Sequence, residues 1–230
     1  EGEYADARRP DVVHYVDTID EDLSRRDFTV NAMAFDPAGR RFLDPFGGLE
    51  DLNRGWIRAV GEAIVRFRED GLRPYRAARF AATLGFEIDP EVLRAAGGAL
   101  REASRVAPER IREELNRLLL GPRPSVGIEV LRETGLLALF MPELLEGYGV
   151  TQNRYHAYDV YGHMLAVLDS AVPKLRVRLA ALFHDIAKPR TKVIVDGDGT
   201  FYNHQHVGSV MAREILARLK YPPAVIERVA

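Results

Sequence analysis

The chain has 230 residues, 47% of them hydrophobic, a formal net charge of −2 and no cysteine. That length and apolar content suit one large or two to three small globular domains, each with its own core. Disulfides and thiolate metal sites are excluded, and the near-neutral charge confines any nucleic-acid contact to a local patch. Arginines number 28 against 4 lysines. No signal peptide and no apolar run of membrane-spanning length is visible, so a cytoplasmic location without a membrane partner is expected. The chain opens without Met and stops inside a helical pattern at Ala230, so both ends are expected to be cut.

Residues 1–60 read as mixed α/β. The apolar run 12–16 is a strand candidate. Asp20, Glu21 and Asp22 crowd the start of a short helix ending near Arg26, and Asp27 is the expected N-cap of a segment over 28–35. Asp36-Pro37-Ala38-Gly39 is turn chemistry between 32–35 and 41–43, hence a hairpin. Asp44-Pro45-Phe46-Gly47-Gly48 is another turn, and 57–60 a last strand. From Gly61 the pattern turns helical, with helices expected over 62–67, 71–84, 90–103, 108–119 and 125–134. Pro90 and Pro108 fall in first turns, where a missing N–H costs nothing. A short apolar segment, 136–140, leads to an irregular connector over 141–158. Helices 159–170 and 174–183, a loop or hairpin over 191–202 and a helix 206–219 complete a chain that is mainly α. Its three blocks are a partial α/β unit at 1–60, a helical unit at 61–140 and a helical body at 141–230.

Three strings carry side chains suited to chemistry. In residues 68–79, Glu69 and Asp70 are expected in the first turn of a helix, where its dipole favours acids. Arg73, Arg76 and Arg79 follow at steps of three, on one drifting ridge. No acid lies between Gly71 and Phe86. Such an unpaired row suits a nucleotide polyphosphate or an RNA backbone; alone, a solvated charged face is the slightly favoured alternative. In Arg25-Arg26-Asp27-Phe28-Thr29-Val30-Asn31, Asp27 and Asn31 are four apart beside a double arginine, a set able to hold sugar hydroxyls and a phosphate. A capped helix with Asn31 exposed is the alternative. In the third block His184-Asp185 lie between His163 upstream and His204 and His206 downstream. Imidazoles with a carboxylate suit Zn, Mn, Ni or Fe. His14 and His156 are read as structural.

Together these strings resemble the bacterial tRNA nucleotidyltransferase/poly(A) polymerase family, the class II CCA-adding enzymes and their relatives. The resemblance is carried by Glu3-Tyr4-Ala5-Asp6-Ala7-Arg8-Arg9-Pro10, by residues 21–34, by Leu43-Asp44-Pro45-Phe46-Gly47-Gly48, and by Arg66-Phe67-Arg68-Glu69-Asp70-Gly71-Leu72-Arg73 with 79–82. It implies that a tRNA 3′-hydroxyl attacks the α-phosphate of CTP or ATP, with Mg2+ clamping the attacking and leaving oxygens. Arg26, with Asp27 and Asn31, would contact the incoming nucleotide. Asp70 and Arg73 would read its base edge, and Arg76 and Arg79 would face its phosphates or sugar. Cytosine and adenine both offer an exocyclic amine to an aspartate, where uracil and guanine offer a carbonyl.

On the same resemblance, 1–60 is the C-terminal half of a nucleotidyltransferase head, 61–140 a neck and RNA-binding unit, and 141–230 a truncated HD-type domain. Partners would be ATP, CTP and the tRNA acceptor end. Arg101, Arg105, Arg110, Arg112, Arg117, Arg123 and Arg132 are candidate phosphate contacts. Glu102, Glu109, Glu113 and Glu114 stand at helical spacing to pair with them, and for most a solvated face is favoured. Asp185-Ile186-Ala187-Lys188-Pro189 and Asn203-His204-Gln205-His206-Val207-Gly208 resemble HD-domain strings. They imply a transition metal at His163, His184, Asp185, His204 and His206 serving phosphoester hydrolysis; a degenerate HD scaffold is the alternative. The family's Gly-Gly-x-x-Arg-Asp turn and Asp-x-Asp pair are expected upstream of Glu1, itself a candidate third carboxylate. The isolated chain is therefore expected to transfer no nucleotide, and a non-catalytic RNA-binding remnant is a further alternative. The sequence leaves open full CCA, partial or poly(A) addition, and the oligomeric state.

Overall fold

The computed structural model describes residues 18–152, 157–195 and 198–230. The strand expected at 12–16, Glu1, His14 and His156 lie outside the described residues. Chain order begins with α1 (Ile19–Ser24), a 3-10 turn (Thr29–Asn31) and an antiparallel hairpin, β1 (Ala34–Asp36) with β2 (Arg41–Leu43). Asp27 is thus not a helix cap. Phe28 pairs with Ala59 in an extended bridge, and the β-branched Thr29 and Val30 give only one tight turn before β1. The turn at 44–48 opens a helix the sequence reading omitted, α2 (Gly48–Arg54). Both Asp44 carboxylate oxygens cap it, accepting from the Gly48 and Leu49 amides at 2.6 and 2.9 Å.

After β3 (Trp56–Ile57) come α3 (Ala63–Glu69) and α4 (Arg73–Leu84). The break between them corrects the expectation that Glu69 and Asp70 open a helix. Asp70 sits in extended backbone at φ −142°, ψ 107°, and its Oδ1 accepts from the Leu72 amide at 3.0 Å, an Asx turn. Gly71 there passes so close to the Glu102–Ala103 backbone that any Cβ would collide with it. α4 ends at Gly85 in the left-handed conformation, φ 70°, as helices often do. It leads into β4 (Glu87–Ile88), parallel to β3, with Trp56 opposite Glu87.

The helix expected over 90–103 divides at Ala99 into α5 (Pro90–Gly98) and α6 (Leu100–Ala103). Then follow α7 (Pro108–Leu119), α8 (Pro124–Glu133), α9 (Leu136–Phe140) and a 3-10 stretch (Pro142–Gly147). The last block holds α10 (Val160–Ser170), α11 (Leu175–Phe183), α12 (Lys188–Thr191), the hairpin β5 (Lys192–Val195) with β6 (Asp198–Phe201), α13 (His204–Arg218) and α14 (Pro223–Val229). The fold is mainly α.

α4 is the axis. Its small buried face of Ala77, Ala78, Ala81 and Ala82 lets α7 and α8 come close. Gly127 on α8 has no room for a Cβ against Leu118 and the Ala78 carbonyl. One apolar core runs from Phe28 through α4, α7 and α8 to α13 and Tyr221. Two bidentate clamps tie the last block to the 3-10 stretch: Arg190 to Glu146 at 2.7 and 2.6 Å, and Arg218 to Glu143 at 2.9 and 2.7 Å. Among the described residues no helix is long and apolar enough to cross a membrane.

Candidate functional site

Two segments about 45 residues apart in sequence close into one wall. Arg66 on α3 donates to the Ser24 carbonyl at 3.2 Å. Arg73, at the start of α4, donates to the Arg25 carbonyl at 2.8 Å, and Arg76, one turn on, to Asp27 Oδ2 at 2.6 Å. Behind these bonds the Phe28 ring meets Phe67 and Phe80 edge-on, at centroid distances of 6.4 and 5.6 Å. Asp27 is buried, and its other oxygen accepts from Asn31 Nδ2 at 3.1 Å. Asp27, Asn31 and Arg76 therefore form one hydrogen-bonded set. Arg26 is more exposed and pairs with Asp22 at 2.6 Å.

The expectation of an unpaired arginine ridge is corrected. The acids missing from 71–86 come from other elements, which a local sequence window does not contain. Arg73 pairs with Glu69 at 2.8 Å and also donates to the Arg66 carbonyl at 2.9 Å. Arg79 is nearly buried, bonded to Glu114 of α7 at 2.6 Å, with its guanidinium carbon 3.8 Å from the Phe80 ring centroid. Asp70 meets Arg110 of α7 at 3.0 Å. Arg110 and Glu114, one turn apart on α7, thus grip the two ends of the 70–79 stretch. Glu114 was expected to pair locally; Arg117 is 3.9 Å away, and the short bond goes to Arg79.

Of the other candidate phosphate contacts, Arg112 donates to the Lys220 carbonyl and Arg132 pairs with Glu129 at 2.8 Å beneath the Tyr148 ring. Arg101, Arg105 and Arg123 are exposed.

The histidine cluster gathers from three helices. Asp185, just after α11, is buried and central. Its Oδ2 lies 3.1 Å from His184 Nε2, 3.5 Å from His163 Nε2 on α10 and 2.7 Å from Lys188 Nζ. Its Oδ1 lies 3.5 Å from His204 Nε2 at the start of α13. His184 Nδ1 and His204 Nδ1 reach the Ala181 and Phe201 carbonyls at 2.8 and 2.7 Å. A carbonyl only accepts, so each Nδ1 carries a proton and Nε2 is the atom left for a cation. Burial raises the Asp185 carboxyl, but hydrogen bonds and charge from His184 and Lys188 outweigh it and hold the pKa at about 2. Burial lowers the His184 imidazole, and its bonds to Asp185 and the Ala181 carbonyl raise it by more. His163, His184 and Asp185 place one ligand atom each within 4.8 Å of one another, and this donor set fits a first-row transition metal. His206 is exposed and is not brought to the cluster. Lys188 and Gln152, whose Oε1 accepts from Lys188 Nζ at 2.7 Å, were missed as site residues. The lysine's position three residues after Asp185 was the available signal.

Three family models match the chain in succession: the poly A polymerase head domain over 1–58, the probable RNA and SrmB-binding site of polymerase A over 85–147, and the HD domain over 155–230. The A-adding tRNA nucleotidyltransferase of Deinococcus radiodurans is 41% identical over 96% of this chain and 53% of its own length. The CC-adding tRNA nucleotidyltransferase of Thermus thermophilus is 37% identical over 92% and 51%, and the multifunctional CCA protein of Leptothrix cholodnii 40% over 91% and 51%. The chain spans about half the length of these curated relatives. Among solved structures, the Bacillus stearothermophilus CCA-adding enzyme in complex with CTP superposes with a TM-score of 0.63 at 31% identity, covering 94% of this chain and 46% of that one.

Proposed function

The chain belongs to the tRNA nucleotidyltransferase/poly(A) polymerase family, and from that premise we propose that the protein containing it adds C, A or both to the 3′ end of tRNA. The observation that carries this reading is the closure of 24–31 onto 66–79 through Arg66, Arg73 and Arg76. We divide the chain into the C-terminal part of a nucleotidyltransferase head at 1–60, a neck and RNA-binding unit at 61–140, and an HD-type body at 141–230. In this account Asp70 and Arg73 read the base edge of CTP or ATP. Arg73 arrives oriented, because two carbonyls and Glu69 already fix its guanidinium. Arg26, at the exposed rim, contacts the nucleotide, and Asp27 and Asn31 shape the pocket floor. Arg76 and Arg79 are given a supporting task, since each is bonded to a buried carboxylate from a distant segment, whereas the Glu69 partner of Arg73 is local and exposed: they align α4 behind the reading edge. Mg2+ is the metal proposed for transfer, and no carboxylates among the described residues are assigned to it. The tRNA acceptor end is proposed to lie along the neck, where Arg101, Arg105 and Arg123 are exposed.

The His163–His184–Asp185–His204 cluster favours a second activity, metal-dependent phosphoester hydrolysis. A bound metal would supply Lewis acidity there, held by the imidazole Nε2 atoms and the Asp185 carboxylate.

The reaction is tested with a tRNA lacking its terminal CCA and labelled CTP or ATP, offered to the protein containing this chain. Label retained on the tRNA 3′ end is expected with CTP, ATP or both. Absence of label with both nucleotides over a range of Mg2+ concentrations overturns the proposal.

A further inference from the structure

The Asp185 carboxylate is shared by more groups than a simple metal ligand would be. His163, His184 and Lys188 all address its Oδ2, and the ammonium is the nearest of them at 2.7 Å. Lys188 is itself buried, a costly place for a lysine charge unless it is paired and hydrogen-bonded. It is both: Nζ bonds Asp185 and Gln152 Oε1, and lies 5.2 Å from the centre of the Phe201 ring. Two sequence-distant segments, the connector at Gln152 and the β6 residue Phe201, thus build a cation seat around this one nitrogen. A metal held by His163, His184 and Asp185 would also use Oδ2, at a bond length of roughly 2.1 Å. Ammonium and metal would then stand within about 5 Å on one oxygen, too close for both to be held comfortably in a half-buried site.

We propose that Lys188 is the resident cation of this cluster and competes with a divalent transition metal for Asp185, so that metal is held only when the ammonium leaves Oδ2. The lysine then sets the metal affinity of the site without being a ligand. The movement is local. α12 carries Lys188 and Arg190, and Arg190 stays clamped to Glu146. The side chain alone has to swing.

The test is a Mn2+ and Zn2+ titration of the 230-residue chain against a competing chelating dye, with thermal melts to confirm folding. Lys188→Met keeps the apolar stem and removes the charge; Lys188→Gln removes the charge and keeps a donor. Both are expected to bind metal at least tenfold more tightly than the unsubstituted chain. Adding His184→Ala to either is expected to abolish that gain. Affinity in both variants equal to or weaker than that of the unsubstituted chain, or no binding by any of the three, overturns the proposal. So does a gain that survives His184→Ala, which would place the metal elsewhere.

Discussion

Arg79 and Glu114 show why local charge patterns mislead about individual residues. On α7, Glu114 has Arg110 and Arg117 one turn away on either side, and on α4, Arg79 has no acid near it in sequence. Folding brings Glu114 and Arg79 together, both nearly buried. Truncating one partner of such a pair leaves the other charge without compensation. Glu114→Gln is therefore expected to cost about 2–3 kcal/mol, the amide recovering part of the lost bond. Glu113→Gln, one residue away and exposed, is expected to stay within about 0.5 kcal/mol. Urea denaturation of the two variants checks this, and equal midpoints would refute a structural role for the pair. The same logic recasts Arg76: its carboxylate, Asp27, lies 49 positions away and could not have been paired with it by any helical spacing rule. One residue-level correction depends on where α13 begins. It starts at His204 rather than 206, so His204 and His206 are two apart on a helix, about 200° apart around it, and do not both face one metal.

At the scale of elements, what was legible followed from signals within a few residues. Pro108 in a first turn with an apolar 3.6-residue period gives α7 with the expected bounds, and the short apolar segment expected over 136–140 is the helix α9. The hairpin at 34–43 follows from its turn residues, and over 191–202, where a loop or hairpin was expected, the structure has the hairpin β5–β6. Elements shaped by contacts between distant segments were not legible. The two-residue parallel pair β3–β4 is one. The exact ends at the break between α3 and α4 are another: helices were expected over 62–67 and 71–84, but α3 runs on to Glu69 and α4 begins only at Arg73, because Gly71 lies against the end of α6 and Asp70 turns back on Leu72. That break places Asp70 at the end of one helix and Arg73 at the start of the next. Gly71→Ala would press a methyl group into the Glu102–Ala103 backbone, which has no flexible side chain to yield. A loss of about 3 kcal/mol, the upper part of the overpacking range, is expected because the atoms met are backbone. Gly61→Ala is the control: φ is 68° but its Cβ meets nothing within 4 Å, so a loss of about 1 kcal/mol is expected from backbone strain alone. Thermal melts in which the two variants match would contradict the close-approach account.

Across the whole molecule, α4, α7, α8 and the helices that carry the histidine cluster share one continuous core, and α7 links them. Arg110 and Glu114 hold the 70–79 stretch from one side of α7. Asn116 and Arg112 reach Tyr221 and the Lys220 carbonyl at the end of α13 from another. A residue on the wall is thus positioned by α7, and Arg218 of α13 reaches back to α9 by donating to the Phe140 carbonyl at 3.1 Å. We propose that Asp70 and Arg73 choose the nucleotide by its base edge. It is tested most directly by competition among labelled CTP, ATP, GTP and UTP for addition to tRNA by the protein containing this chain, comparing Asp70→Ala and Arg73→Ala with the unsubstituted protein. The preference for C and A over G and U is expected to fall about five- to 150-fold in each variant, as loss of a base-edge contact worth about 1–3 kcal/mol requires, while tRNA affinity changes by less than about threefold. An unchanged nucleotide preference with a uniformly lower rate would contradict it.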